Sequence, residues 1–414
     1  MQGLTIIFLA AAVARLGGEL WLARRHIQHV DAHRGAVPEA FRAQVELQQH
    51  QKAAAYTVAR TRLGMATDVL GLGVLLAWTV GGGLQALDTA WSGVGWGPIA
   101  TGLAVILSMS FLGALIDIPV SLYRTFVLEE RFGFNKTTLR LFVLDAVKGA
   151  AVALVLLTPL LALILWLMDT TGAMWWLYAW AAWSGFSLLL LWLYPALIAP
   201  LFNKFQPLTD AAVLERTQAL LSRCGFASRG IFVMDGSLRS SHGNAYFTGL
   251  GKNKRVVFFD TLLKTLTLDE VEAVLAHELG HFKLHHVNKR LALSLVMSGV
   301  ALASLGGLSS WPPFYTALGL ARPSAHGALL LFMLVGPVFT FFVTPLGSYL
   351  SRRHEFEADD FAALHIQAQA LVTGLVKLYR DNASTLTPDP LHSLFYDSHP
   401  PAAVRIAHLE RAER

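Results

Sequence analysis

Seven stretches of this chain are long and apolar enough to cross a bilayer, near 3–23, 63–88, 99–123, 147–169, 173–199, 289–310 and 326–350. A span needs about 20 mostly apolar residues, and in lipid the backbone must satisfy its own polar groups, so each stretch is expected as a helix. The first is the weakest, because it carries Arg15 and Glu19, and the third contains Asp117. Charges at such depth face a protein interior or a wet cavity. The apolar character of the first stretch resumes beyond Arg15, which favours an uncleaved span over a signal peptide. Composition agrees with this reading. Hydrophobic residues make up 54% of the chain and charged ones only 15%, against about 25% charged in soluble domains. Mean hydropathy is +0.49.

The basic residues set the expected orientation. Arg24, Arg25, Arg34, Arg42, Lys52, Arg60 and Arg62 follow the first span, and Arg131, Lys136 and Arg140 follow the third. Under the positive-inside rule this puts the N-terminus outside and the odd-numbered loops inside. The two stretches of ordinary soluble composition, 202–287 and 351–414, then share the cytoplasmic side. If the source is bacterial, the membrane is the inner one. The net charge of +5 belongs to these loops, and no basic run with interleaved aromatics argues for a nucleic-acid partner. Cys224 is the single cysteine, which excludes an intrachain disulfide and a cysteine-based metal site.

Chemistry concentrates in the soluble stretches. His277-Glu278-Leu279-Gly280-His281 is an H-E-x-x-H pentad. On a helix, positions i and i+4 share a face, so both histidines can grip one ion while Glu278 sits beside it as a base for water. The helix is expected: Thr267 and Glu270 form a capping-box pattern, and Val271, Val274, Leu275 and Phe282 follow at helical spacing. A catalytic zinc site takes three protein ligands and leaves one position open. Glu355 is the expected third ligand, and Asp359, four residues on, is expected to orient His277 or His281 from behind. Alone, Ser351–Ala362 reads as a charged, solvated helix; beside the pentad it supplies the missing ligand. His285, His286 and His354 are near in sequence but are not expected on the metal, because a fourth protein ligand would close the open position.

Two further segments carry weaker signals. Asn244–Gly249, a Gly-Lys-Asn-Lys turn and Val256–Phe259 read as a β-hairpin, whose edge can take a peptide as an added strand. His399 precedes Pro400-Pro401, and a histidine so positioned can stabilise an oxyanion.

With these residues in view the chain resembles the type 1 CAAX prenyl proteases, integral membrane zinc endopeptidases. Beyond the pentad, the likeness rests on Glu129–Thr138, Pro200–Phe205, Asn244–Phe247, Phe259–Leu263, Glu355–Asp359, and His399-Pro400-Pro401 with Arg405. The resemblance implies a mainly α fold: a chamber of seven transmembrane helices with a gluzincin-like α+β zinc metalloprotease domain on its cytoplasmic side. It divides the chain into a membrane domain, 1–204, with five spans, and a metallopeptidase domain, 205–414, containing spans six and seven. It implies one zinc ion per chain held by His277, His281 and Glu355, with Glu278, Asp359 and His399 catalytic and Asn244 and Arg405 at the substrate. His285 stands where the family usually has Gly, so His286 is the family-matching histidine.

The expected activity is hydrolysis of a peptide bond near the C-terminus of a prenylated or lipid-associated peptide or protein, at the bilayer. Two other readings use the same residues. A protease of this fold clearing damaged membrane proteins would share every motif. A transporter or channel with a structural metal is compatible with the spans and Asp117, but a structural site has no use for a base beside an open position.

Overall fold

The computed structural model describes residues 2–226, 230–248 and 255–412. It is mainly helical. The first half holds α1 (Gln2–His33), α2 (Leu47–Trp78), α3 (Gly83–Ser92), α4 (Pro98–Tyr123), α5 (Leu139–Thr170), α6 (Trp175–Leu193) and the short α7 (Ala199–Phe202). Then come α8 (Ala211–Arg223), α9 (Asp260–Thr265), α10 (Leu268–Lys283), α11 (His286–Ser309), α12 (Pro312–Thr316) and α13 (Ala325–Thr340). The chain closes with α14 (Thr344–His365), α15 (Ala368–Asp381), α16 (Pro390–Tyr396) and α17 (Ala402–Ala412).

Among the described residues six helical stretches are long and apolar enough to cross a membrane, and the α2–α3 pair, bent by 46°, makes a seventh if it is one span. All seven expected stretches are helical, but most outrun their apolar cores. α1 continues to His33, α2 begins at Leu47, and α14, which starts within the last span, runs to His365. Hydropathy marks where side chains turn polar, whereas the helical hydrogen-bond ladder continues beyond the lipid. The bend between α2 and α3 has a local cause. Gly82 has φ 78°, and a Cβ on Gly83 would lie 2.8 Å from the Ala77 carbonyl oxygen. Only glycine fits that turn.

The four-stranded sheet lies in the second half. β1 (Phe205–Pro207), β2 (Ile231–Met234), β3 (Ala245–Thr248) and β4 (Arg255–Phe259) are ordered β1-β2-β4-β3. β2 and β4 run parallel, and β3 pairs antiparallel to β4 with Ala245 opposite Phe258. The expected hairpin is therefore present, and its Gly-Lys-Asn-Lys turn lies outside the described residues. Among the described residues β3 is an edge strand.

Two large hydrophobic cores, beside two small ones, support this arrangement among the described residues. One joins the sheet to α8, α10, α15 and α17 through Leu220, Phe258, Leu275, Leu279, Val376 and Leu409, and it also takes in Phe41 from the segment after α1. The other lies among the long helices, around Phe8, Val105, Ile164, Trp175 and Leu331.

Candidate active site

α10 begins as the sequence predicts. Thr267 accepts from the backbone N–H of Glu270, and the Glu270 carboxylate accepts from the Thr267 backbone N–H, a reciprocal cap. Lys377 on α15 adds an ion pair to Glu270 at 2.7 Å. From Glu270 to His281 every residue of α10 but Glu278 is buried, so the pentad sits on a helix packed on most sides. Its closest neighbour is α14. A Cβ on Gly280 would stand 3.1 Å from Cα and O of Ala358 and 3.2 Å from Cβ of Phe361. The glycine inside the pentad is what lets the helix bearing Glu355 approach this closely.

The two helices bring three donors together. His277 Nε2 and His281 Nε2 are 3.3 Å apart. The Glu355 carboxylate is 3.4 Å from the first and 3.3 Å from the second. All three residues are buried, and Glu355 Oε2 has no hydrogen-bond partner among the described residues. A tetrahedral ion with donors at about 2.0–2.1 Å has donor–donor edges of roughly 3.3–3.4 Å. The spacing, the nitrogen and oxygen donors and the unpartnered carboxylate oxygen all fit a divalent cation.

Behind the donors stands a buried ion pair. His277 Nδ1 is 2.8 Å from Asp359 Oδ1. Arg405 from α17 binds Asp359 in a fork, Nε to Oδ2 at 2.8 Å and Nη2 to Oδ1 at 2.5 Å. Where the sequence left Asp359 free to serve either histidine, it meets His277. It is wholly buried and faces the Nδ1 side of the His277 ring. Arg405, expected at the substrate from the family likeness, has 5% of its side chain exposed, and its fork is taken up by Asp359.

Glu278 lines a cavity of about 340 Å³ together with His277, His399, Asn244, Tyr379 and Arg405. Burial pushes its carboxyl above the usual carboxylate range, while His277 and His281 pull the other way. His399 Nε2 lies 3.4 Å from Glu355 Oε1. Its side chain is 60% exposed, and it faces this cavity and a larger one of about 790 Å³. The larger cavity shares Glu19, Asp68 and Arg124 with a third space of about 640 Å³ lined by Leu16, Leu75, Ile116 and Asp117. Hollow space thus runs from His399 to the walls of α1, α2 and α4. Asp117, singled out as an intramembrane charge, faces it.

Asn244 is exposed at the start of β3, its Oδ1 accepting from the Ala245 backbone N–H at 2.8 Å. The loop before it is clamped by both long-range motifs. Arg239 forks onto Asp145 of α5 and donates to Asn203 Oδ1 and to the Phe202 carbonyl. Glu129 accepts from Tyr56 and faces His242, whose ring stacks on Phe134 at 4.5 Å. Glu129–Thr138 and Pro200–Phe205 therefore hold the membrane helices to the strand edge that carries Asn244.

Of the remaining histidines, His285 is exposed and away from the donors, while His286 and His354 lie just behind His281. Tyr379 lines both nearer cavities and was not expected there. On the strongly amphipathic α15 it reads as an ordinary core position.

The geometry has parallels among known proteins. The profile for peptidase family M48 matches residues 207–413, and that for the CAAX prenyl protease N-terminal region of five membrane helices matches 26–204. The CAAX prenyl protease 1 homolog of Arabidopsis thaliana is 36% identical over 317 residues, 75% of each chain. CAAX prenyl protease 1 of Saccharomyces cerevisiae is 35% identical over 330 residues, covering 75% of this chain and 72% of its own. The crystal structure of S. mikatae Ste24p superposes with a TM-score of 0.90 at 30% identity, covering 98% of each chain.

Proposed function

Since the chain belongs to the CAAX prenyl protease family, multi-pass membrane metalloproteases of peptidase family M48, we propose that it cuts near the C-terminus of prenylated or lipid-associated peptides. In this reading one zinc ion per chain is held by His277, His281 and Glu355. The observation that carries it is the meeting of three buried donors at tetrahedral spacing beside Glu278, in a cavity continuous with hollow space among the membrane helices.

Bound there, the ion supplies Lewis acidity, polarising a peptide carbonyl and acidifying water. The chain's own residues do the rest. Glu278 takes the proton of the attacking water at its carboxylate and hands it to the leaving amine. His399, facing the cavity next to Glu355, donates to the carbonyl oxygen as charge develops on it. The free edge at Asn244 aligns the peptide as an added strand. Asp359, with Arg405 forked onto it, holds the His277 ring in its tautomer and orientation, and Arg405 also borders the cavity on the substrate side. The partly apolar space between α1, α2 and α4 receives the lipid-bearing portion. Residues 1–204 supply most of that chamber, residues 205–414 supply the chemistry, and the positive-inside pattern turns the site to the cytoplasm.

The test is mass-spectrometric cleavage of a farnesylated C-terminal CAAX peptide and of its unprenylated twin by detergent-purified protein, with Glu278→Gln as control. Cleavage by the unaltered enzyme, a preference for the lipidated peptide, and a loss of about 10²–10⁴-fold or more in the variant are expected. Equal cleavage of both peptides overturns the substrate class, and an active Glu278→Gln overturns the assignment of the base.

A further inference from the structure

We infer that His286 is the positioning residue of the second pentad histidine and that Glu357 fixes the proton which lets it serve; this rests on His281 being a metal ligand. The two pentad histidines are backed differently. His277 meets a carboxylate, Asp359. His281 Nδ1 meets another imidazole, His286 Nδ1, at 3.0 Å. His286 Nε2 then lies 2.9 Å from Glu357 Oε2, and Glu357 Oε1 accepts from Arg353 Nε at 3.0 Å. His286 is fully buried, with the His354 ring stacked on it at 4.2 Å and 12°.

Elementary proton counting assigns every hydrogen in this chain of groups. His281 turns Nε2 toward His277 and Glu355, so a lone pair is needed there and the proton of the neutral ring sits on Nδ1. Two imidazole nitrogens 3.0 Å apart share one hydrogen, so His286 Nδ1 is the acceptor. The proton of His286 is therefore on Nε2, where the Glu357 carboxylate accepts it. A carboxylate thus sets the tautomer of one histidine, and that histidine sets the tautomer of the ligand, one ring further than in the usual carboxylate–histidine–metal arrangement.

The backbone explains how the relay is assembled. His285 has φ 59° and ψ 27°, a left-handed residue that stops α10 and starts α11 at a new angle. His286, the first residue of α11, is thereby turned back against His281 rather than continuing along the helix. Glu357 is two residues past Glu355, so it leaves α14 on another face and reaches His286 instead of the donors.

His286, His354 and Glu357 also have donor atoms within 4.8 Å of one another, and His354 Nδ1 is buried without a hydrogen-bond partner among the described residues. A second cation there needs a bare Nε2 on His286. The displaced proton would move to Nδ1 and point into the Nδ1–H of His281. Filling the second cluster therefore opposes filling the first, and the cluster acts as a relay in a chain that holds one ion.

The experiment compares full-length, detergent-purified protein with His286→Leu, Glu357→Leu, Glu357→Gln and His281→Ala. Zinc affinity is read by chelator competition, stoichiometry by elemental analysis, and ligand symmetry by the visible absorption of the cobalt-substituted protein. One ion per chain is expected. Affinity falls roughly 10–100-fold in His286→Leu and Glu357→Leu with an altered cobalt spectrum, whereas Glu357→Gln, whose amide oxygen still accepts from Nε2, retains most of it. Because Glu357 is only partly buried, its variants remain readable should His286→Leu fail to fold. An unweakened His281→Ala refutes the ligand assignment itself. A weakened His281→Ala beside unchanged Glu357→Leu and His286→Leu refutes the relay. Two ions per chain, one of them lost on removing Glu357, also overturns it and makes the cluster a metal site.

Discussion

The ion pair behind the site offers a quantitative test. Asp359 has 0% and Arg405 5% of its side chain exposed, and they share two hydrogen bonds of 2.8 and 2.5 Å. Removing one partner of such a pair strands the other's charge in a dry interior, at about 3–5 kcal/mol. Asp359→Asn keeps a carbonyl oxygen for His277 Nδ1 but leaves Arg405 only the Glu355 carboxylate at 3.7 Å, and Arg405→Met leaves Asp359 only His277 Nδ1. The double substitution strands neither, so its cost falls short of the sum of the singles, with a coupling of about 2–3 kcal/mol. For a domain of roughly 150–250 residues, 1 kcal/mol corresponds to about 2–4 °C in Tm, so each single variant loses roughly 6–20 °C. Thermal unfolding of the metal-free protein in detergent reads this without a contribution from bound metal. Additive losses, or singles costing less than about 1 kcal/mol, refute the claim that these two charges exist for each other.

Two other substitutions probe the frame of the site. His285→Gly removes a side chain from a left-handed residue; relief of about 1–2 kcal/mol, less the extra chain entropy of glycine, leaves a gain of about 0.5–1 kcal/mol, visible as a higher Tm. Gly280→Val places a Cβ 3.1 Å from Ala358 and adds further methyl groups, so α10 and α14 separate, and chelator competition should show metal affinity falling by at least tenfold, the loss expected when ligand positioning fails.

Much of this was legible in the residues because it is periodic or local. The capping box, the i, i+4 histidines, the helix carrying Glu355 and the hairpin each follow from spacing within a few residues, and each is present. Periodicity places Asp359 on the Glu355 face but does not say which histidine it meets; that depends on the crossing of α10 and α14 at Gly280, a tertiary fact. The His281–His286–Glu357 relay was hidden for the same reason. It requires a left-handed turn at a histidine, which propensity disfavours, and the only trace was the family's preference for glycine there. Arg405 was carried to the substrate by family likeness; it borders the cavity beside Glu278 while its fork is spent on Asp359, a pairing that no spacing announces. The apolar stretches do not mark the helix ends, because hydropathy reports lipid contact rather than hydrogen bonding, and the polar extensions of α1 and α2 are the parts that reach the catalytic half. Tyr56, packed in one cluster with Ala383, and Phe41, part of the core around α10, make the contact.

Whether one zinc ion sits on His277, His281 and Glu355 can be read by zinc K-edge X-ray absorption on the purified protein. Two imidazole nitrogens at about 2.0–2.1 Å, carboxylate oxygen at about 2.0–2.2 Å and no sulfur near 2.3 Å are expected, with one imidazole lost in His281→Ala. A sulfur shell, or a histidine count unchanged by that substitution, would contradict that ligand set.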